Sequence, residues 1–149
     1  MSVLQRGITG SNNSVVIPIT LYKKAAYSAV ARDNNARVGA VTSADSVTPS
    51  FHQIQLRFGL RGVALLCSRY APIAALVDRI DAMEIGEFLD APGDLRAALV
   101  ESGVECADAA ELSRRVTKAD LQLLSDAERH EAKYWKPKRV GEIIFNWWD

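Results

Sequence analysis

The last sixteen residues, Tyr134 to Asp149, read Tyr-Trp-Lys-Pro-Lys-Arg-Val-Gly-Glu-Ile-Ile-Phe-Asn-Trp-Trp-Asp and hold five of the eleven aromatic side chains of the sequence. Chain ends are normally polar and frayed, so a terminus this apolar has to be docked. Pro137 suits the first turn of a helix, where its missing N–H costs nothing. From Lys138 onward, Val140, Ile143, Ile144 and Trp147 recur at i, i+3, i+4 and i+7, which predicts a helix reaching Trp148 with one apolar face. Gly141, one turn before Phe145, leaves room there for a close neighbour. This buried aromatic C-terminal helix is expected to dominate the core, at about 25 cal/mol per Å² of apolar surface removed from water. Trp135 and Trp148, where they stay partly exposed, are suited to anchoring another protein, because tryptophan is over-represented among binding hot spots.

A chain of 149 residues is the size of one domain and can bury about two-thirds of the surface it exposes unfolded. Residues 1–14, polar and rich in Gly, Ser and Asn, read as a flexible lead-in, and residues 15–149 as a single globular domain. Hydrophobic residues at 48% and charged residues at 24% argue against wholesale disorder. No run of about 18 uncharged apolar residues is present, and Met1–Ser14 lacks the apolar stretch of a signal peptide, so no membrane segment is expected. Cys67 and Cys106 stand apart with no CxxC or Cys/His cluster, which predicts free thiols in a reducing cytoplasm and neither a metal nor a cofactor.

The expected fold is α+β, with short N-terminal strands and a mainly helical C-terminal half. Strands are predicted over residues 15–19, at an edge because of Pro18, and over 38–42. The clearest is 53–60, where Ile54, Leu56, Phe58 and Leu60 alternate with polar positions or glycine. The continuous apolar run 63–67 fits either a hairpin partner of that strand or the start of a helix. A helix is predicted between Thr20 and Ala31 and another from Pro72 to Met83. Three more follow: from Pro92 to a left-handed cap at Gly103, over Ala107–Val116, and from a capping box at Thr117 and Asp120 through His130.

Net charge is zero but polarised. Residues 1–77 carry eight Lys/Arg against two Asp/Glu, a net +6, and residues 78–149 carry ten against sixteen, a net −6. An acidic field such as that between Asp78 and Glu111 repels nucleic acid and attracts basic proteins. Asp94, Glu101, Glu105, Asp108 and Glu111, with Trp135 and Trp148, are therefore the candidate contacts to a basic partner protein. In size, acidity and want of catalytic motifs the chain is similar to immunity proteins and antitoxins, which implies a small protein-binding module that neutralises a basic partner.

Enzymatic signatures are missing. There is no GxSxG elbow, no HExxH and no phosphate-binding glycine loop, and His52 and His130 lie far apart. Cys67 with His52 is the one nucleophile and base that folding alone would have to bring together. The competing class is a nucleic-acid-binding regulator. Its helix-turn-helix would lie within Ala107–Lys133, with Arg114, Arg115 and Lys118 at the joint.

Overall fold

The computed structural model describes residues 3–11, 13 and 15–148. Helix α1 (Ile19–Ala31) leads into a meander of β1 (Ala36–Thr42), β2 (Phe51–Phe58), β3 (Arg61–Ser68) and β4 (Ile73–Val77). A two-stranded hairpin, β5 (Ile80–Asp81) and β6 (Glu84–Ile85), and the short β7 (Phe88–Leu89) follow. Then come α2 (Gly93–Glu101), β8 (Glu105–Cys106), α3 (Ala109–Ser113), α4 (Lys118–Gln122), α5 (Asp126–Trp135) and α6 (Gly141–Ile144). The main sheet has six strands in the order β1-β2-β3-β4-β7, all antiparallel, with β8 parallel to β4. No helix among the described residues is long and apolar enough to cross a membrane.

Each sheet face carries its own core. Ile54, Leu56, Val63, Leu65, Cys67, Ala74 and Leu76 pack under α1 and α2, against Tyr22, Ala25, Leu95 and Leu99. On the opposite face Phe51, Ala64, Leu66, Ile73, Ala75 and Val77 pack under Leu112, Leu124, Val140, Ile143, Ile144 and Phe145. That second cover also includes Leu4 and Ile8, so the segment read as a lead-in contributes two side chains to the core.

The expected division into a strand-bearing N-terminal half and a helical C-terminal half is overturned: strands dominate the N-terminal half after α1 and continue to Cys106. Residues 15–18 have no regular structure, because Pro18 stands at the N-cap of α1, and Ile17 donates its N–H to the Arg69 carbonyl (2.6 Å). The helix expected over Pro72–Met83 is instead β4 and the β5–β6 hairpin. All five residues of β4 are buried, since both faces of this inner strand are covered. A strand buried on both faces loses the period-2 alternation and reads like a helical core segment. The run 63–67 took its hairpin alternative, pairing with β2 from Phe58↔Arg61 to Phe51↔Ser68.

The C-terminal helix is also corrected, from eleven residues to the four of α6. Asn146 ends it. Its side chain donates to the Ile143 carbonyl (2.7 Å) and accepts from the Trp148 N–H (3.0 Å), a local alternative to the helical ladder. The backbone then swings onto the start of β2: Ser50 N–H donates to the Asn146 carbonyl (2.8 Å), and Asn146 N–H donates to Ser50 Oγ (3.0 Å). Val140, Ile143, Ile144 and Phe145 are buried, while Trp147 and Trp148 are only half-buried.

Candidate functional site

The swing of the tail leaves a cleft between the β5–β6 hairpin and the chain from Trp135 to Trp148. Its volume is about 450 Å³, within the range of small-molecule and peptide side-chain pockets. All three tryptophans of the chain, Trp135, Trp147 and Trp148, line it together with Phe145, Met83 and Ile85. Met83 is 60% exposed, Trp135 37% and its neighbour Tyr134 75%, so large apolar groups stand at the rim. Tyr134 and Trp135 hold each other edge to face at 5.1 Å between centroids, and Trp147 packs likewise on Phe51 at 5.2 Å.

The cleft walls are fixed by one arginine. Arg139 donates through Nη1 to the Gly86 carbonyl (2.8 Å) and through Nη2 to the Ile85 carbonyl (3.0 Å), stapling the hairpin to the tail. Its Nε donates to Glu142 Oε2 (2.5 Å), and the guanidinium lies over the Phe88 ring at 4.9 Å. With Arg139 and Glu142 occupied by each other, the charged side chains left on the lining are Lys136, Lys138 and Glu84. Backbone strain collects here as well. Among the described residues, Ala82 and Lys136 are the two non-glycine positions with left-handed φ, 51° and 53°. Lys136 lines the cleft and Ala82 precedes Met83. Strain of this kind persists where surrounding structure imposes it, and it concentrates at binding sites.

A second hollow, about 490 Å³, lies between the N-terminal segment and Tyr70–Pro72. Its lining has one aromatic ring, Tyr70, and one charged side chain, Arg6. The first cleft is therefore much the richer in anchoring groups.

The expected contact residues do not all line this cleft. Trp135 and Trp148 line the cleft, but Asp94, Glu101, Glu105, Asp108 and Glu111 do not. Three of these carboxylates meet arginines of the same chain: Glu101 with Arg32 (2.8 Å), Asp108 with Arg96 (2.9 Å) and Glu111 with Arg114 (3.2 Å). The Arg32–Glu101 pair joins the basic and acidic halves across α1 and α2. Asp94 and Glu105 are exposed and, among the described residues, form no such pair.

The region expected to form a helix-turn-helix is three short helices, because a second capping box, Ser125 with Glu128, restarts the chain at α5. A guanidinium has five N–H groups, and those of Arg114 are all directed within the protein. Nε donates to Glu111, Nη1 to the Arg115 carbonyl and Asp120, and Nη2 to Glu111 and Asp120. The Arg114 guanidinium holds the Asp120 carboxyl below its usual range, assisted by donors from Thr117 and opposed by burial. Arg115 and Lys118 remain exposed.

The fold does bring Cys67 and His52 together as opposed residues of β2 and β3, but in an inert state. Complete burial pushes the Cys67 thiol well up, and its S–H is directed at the Leu65 carbonyl. The His52 ring accepts from the Ala44 N–H at Nδ1 (2.9 Å) and meets the Ile17 carbonyl at Nε2 (2.9 Å). Burial, with Arg69 nearby, pushes its pKa down. A reactive cysteine requires a stabilised thiolate and access to solvent, and this pair has neither.

The lining contributed by Met83, Glu84 and Ile85 had no counterpart in the sequence reading, which placed a helix end there. A hairpin tip with Ala82 in the left-handed region gives no turn signal of the Gly or Asn type. No protein-family model matches the chain, and neither a curated protein nor a solved structure matches it.

Proposed function

We propose that this chain is a protein-binding module whose partner docks at the aromatic cleft. The observation that carries the reading is the convergence of Trp135, Trp147 and Trp148, from the end of α5 and from the chain after α6, on one cleft whose lining keeps Trp135 and Met83 in solvent, with exposed Tyr134 packed on Trp135. Rigid aromatic side chains bury a large area with few rotors to immobilise, which is why they dominate binding hot spots. Exposed clusters of such groups mark interaction surfaces on soluble domains.

The narrower reading, a cytoplasmic neutraliser of a basic partner on the pattern of an immunity protein or antitoxin, rests on Asp94 and Glu105. They are the two carboxylates of the expected set that internal arginines leave unpaired. A capture experiment from lysate separates the two versions, using wild type, Trp135→Ala and the pair Asp94→Lys with Glu105→Lys. A protein retained by wild type and released by Trp135→Ala supports docking at the cleft. One released only by the charge reversal supports the acidic surface, and equal recovery on all three proteins overturns both.

A further inference from the structure

Trp147, part of the cleft lining, rests on the first residue of β2, and the chemistry of the strand beyond that contact defines what a docked partner can carry. Phe51, against which Trp147 packs, begins β2 on the sheet face covered by the tail. Side chains two apart on a strand share a face, so Gln53, Gln55 and Arg57 continue from Phe51 along that same surface. Cover from the tail stops short of them: Gln53 is half-buried, Gln55 and Arg57 exposed.

At the far end Arg57 lies directly opposite Arg37 of β1. Like charges directly opposed across antiparallel strands disfavour the pairing. Among the described residues neither guanidinium has a carboxylate partner: Arg37 donates to the Asn34 and Ala36 carbonyls, and the Arg57 guanidinium has no hydrogen bond or ion pair. The third residue of this row is Gly62, opposite Arg57 on β3, where an added Cβ would meet nothing within 4 Å. Between residues 34 and 77 the sequence holds one carboxylate, Asp45, and it lies in the β1–β2 loop.

We infer that the partner docked at the aromatic cleft presents an extended acidic segment that runs along β2 and places carboxylates on the Arg37–Arg57 pair. This rests on the cleft being the docking site and not on the narrower reading, in which the partner is basic and meets Asp94 and Glu105. Charge complementarity selects the occupant, and the register supplies a ruler: the six steps from Phe51 to Arg57 span about 20 Å at about 3.3 Å per residue. Because Phe51 itself lies buried beneath Trp147, the acidic residues must follow or precede the residue anchored in the cleft by at least about six positions in extended backbone. A carboxylate shared by two adjacent guanidiniums relieves their repulsion and gains charge-assisted hydrogen bonds.

The test is a random dodecapeptide display library panned on the full chain, followed by titration of the enriched peptides as synthetic fluorescein conjugates. The expected result is enrichment of Asp or Glu six or more positions from an aromatic or large apolar residue. Affinity of such a peptide should fall at least tenfold with Trp135→Ala, and at least tenfold with Arg37→Glu plus Arg57→Glu. Replacing the peptide's carboxylates by lysine should restore binding to the doubly reversed protein. Peptides that need Trp135 yet bind the reversed protein unchanged overturn the acidic-segment inference alone. Peptides indifferent to Trp135→Ala overturn the docking reading itself, and failure to enrich any peptide overturns both. Binding of a duplex oligonucleotide that is lost with the two arginines would show a phosphate-bearing partner on this face and overturn the inference as well.

Discussion

Thr9 and Glu128, 119 residues apart, meet in a fully buried contact in which Thr9 donates both its N–H (2.9 Å) and its hydroxyl (2.7 Å) to Glu128 Oε2. Gly7 N–H (2.8 Å) and Ser125 N–H (3.0 Å) reach Oε1 of the same carboxylate. One side chain thus caps α5 and fastens the N-terminal segment over the core. Burial on its own would raise the Glu128 pKa, but the hydrogen bonds from Ser125, Thr9 and Gly7 outweigh it and hold the carboxyl below its ordinary range.

That balance fixes the sign of a pH effect. A carboxyl whose folded pKa lies below its unfolded value, about 4.3, stabilises the fold above that value and loses the contribution as pH falls through the folded pKa. Glu128→Gln should therefore lower stability at pH 7 by about 1–3 kcal/mol. The gap from wild type should narrow steadily below about pH 4.3, as read by urea midpoints at pH 7 and at low pH. A gap that stays constant with pH would show that the charge of Glu128 is irrelevant.

Phe145 rather than Trp147 is the deepest aromatic of the tail, 1% exposed and edge-on to Phe51 at 5.9 Å between centroids. Phe145→Ala should cost about 3–5 kcal/mol as a buried large-to-small change. Trp147→Ala, at a half-buried position, should cost about half as much. Thermal melts of the two variants decide the order, and a larger loss for Trp147 would mean that the tail packs otherwise.

Gly141 is buried so closely on the Phe88 ring that an added Cβ would overlap it. Gly141→Ala should destabilise by about 1–3 kcal/mol through overpacking. Gly93→Ala, where a Cβ meets nothing within 4 Å, should stay within about 0.5 kcal/mol of wild type. Chemical denaturation of both variants is the comparison, and equal effects would remove the packing role of Gly141.

Asp120 closes the capping box of α4 and takes two hydrogen bonds from Arg114. Asp120→Ala should cost about 1–2 kcal/mol from lost capping. Together with Arg114→Ala it should cost less than the two singles summed, because each single change already breaks the same pair. Strict additivity in a double-mutant cycle would indicate that the pair is energetically silent.

Local signals in the chain were strong wherever a structure depends on neighbours in sequence. The alternation from Gln53 to Phe58 marked β2, although Leu60, expected on the same strand, lies in the turn beyond it and is 98% exposed, and Thr117 with Asp120 marked the start of α4. The docking of Val140, Ile143, Ile144 and Phe145 followed from their composition, whatever backbone carried them. Trp135 and Trp148 could be singled out for the same reason, being large apolar groups that one short chain has difficulty covering.

Tertiary structure decided everything that depends on which surface covers which. Whether Ile73–Val77 is strand or helix turns on its being buried on both faces, a property of neighbours distant in sequence. Where the tail leaves the helix turns on Ser50, 96 residues away, whose N–H donates to the Asn146 carbonyl and whose hydroxyl oxygen accepts from the Asn146 N–H. The fate of the acidic surface turns on Arg32 and Arg96 reaching Glu101 and Asp108. Composition and periodicity state what must be buried or turned, because those costs are local. They cannot state the partner, because burial on a second face and the pairing of a charge are created only when the chain closes on itself.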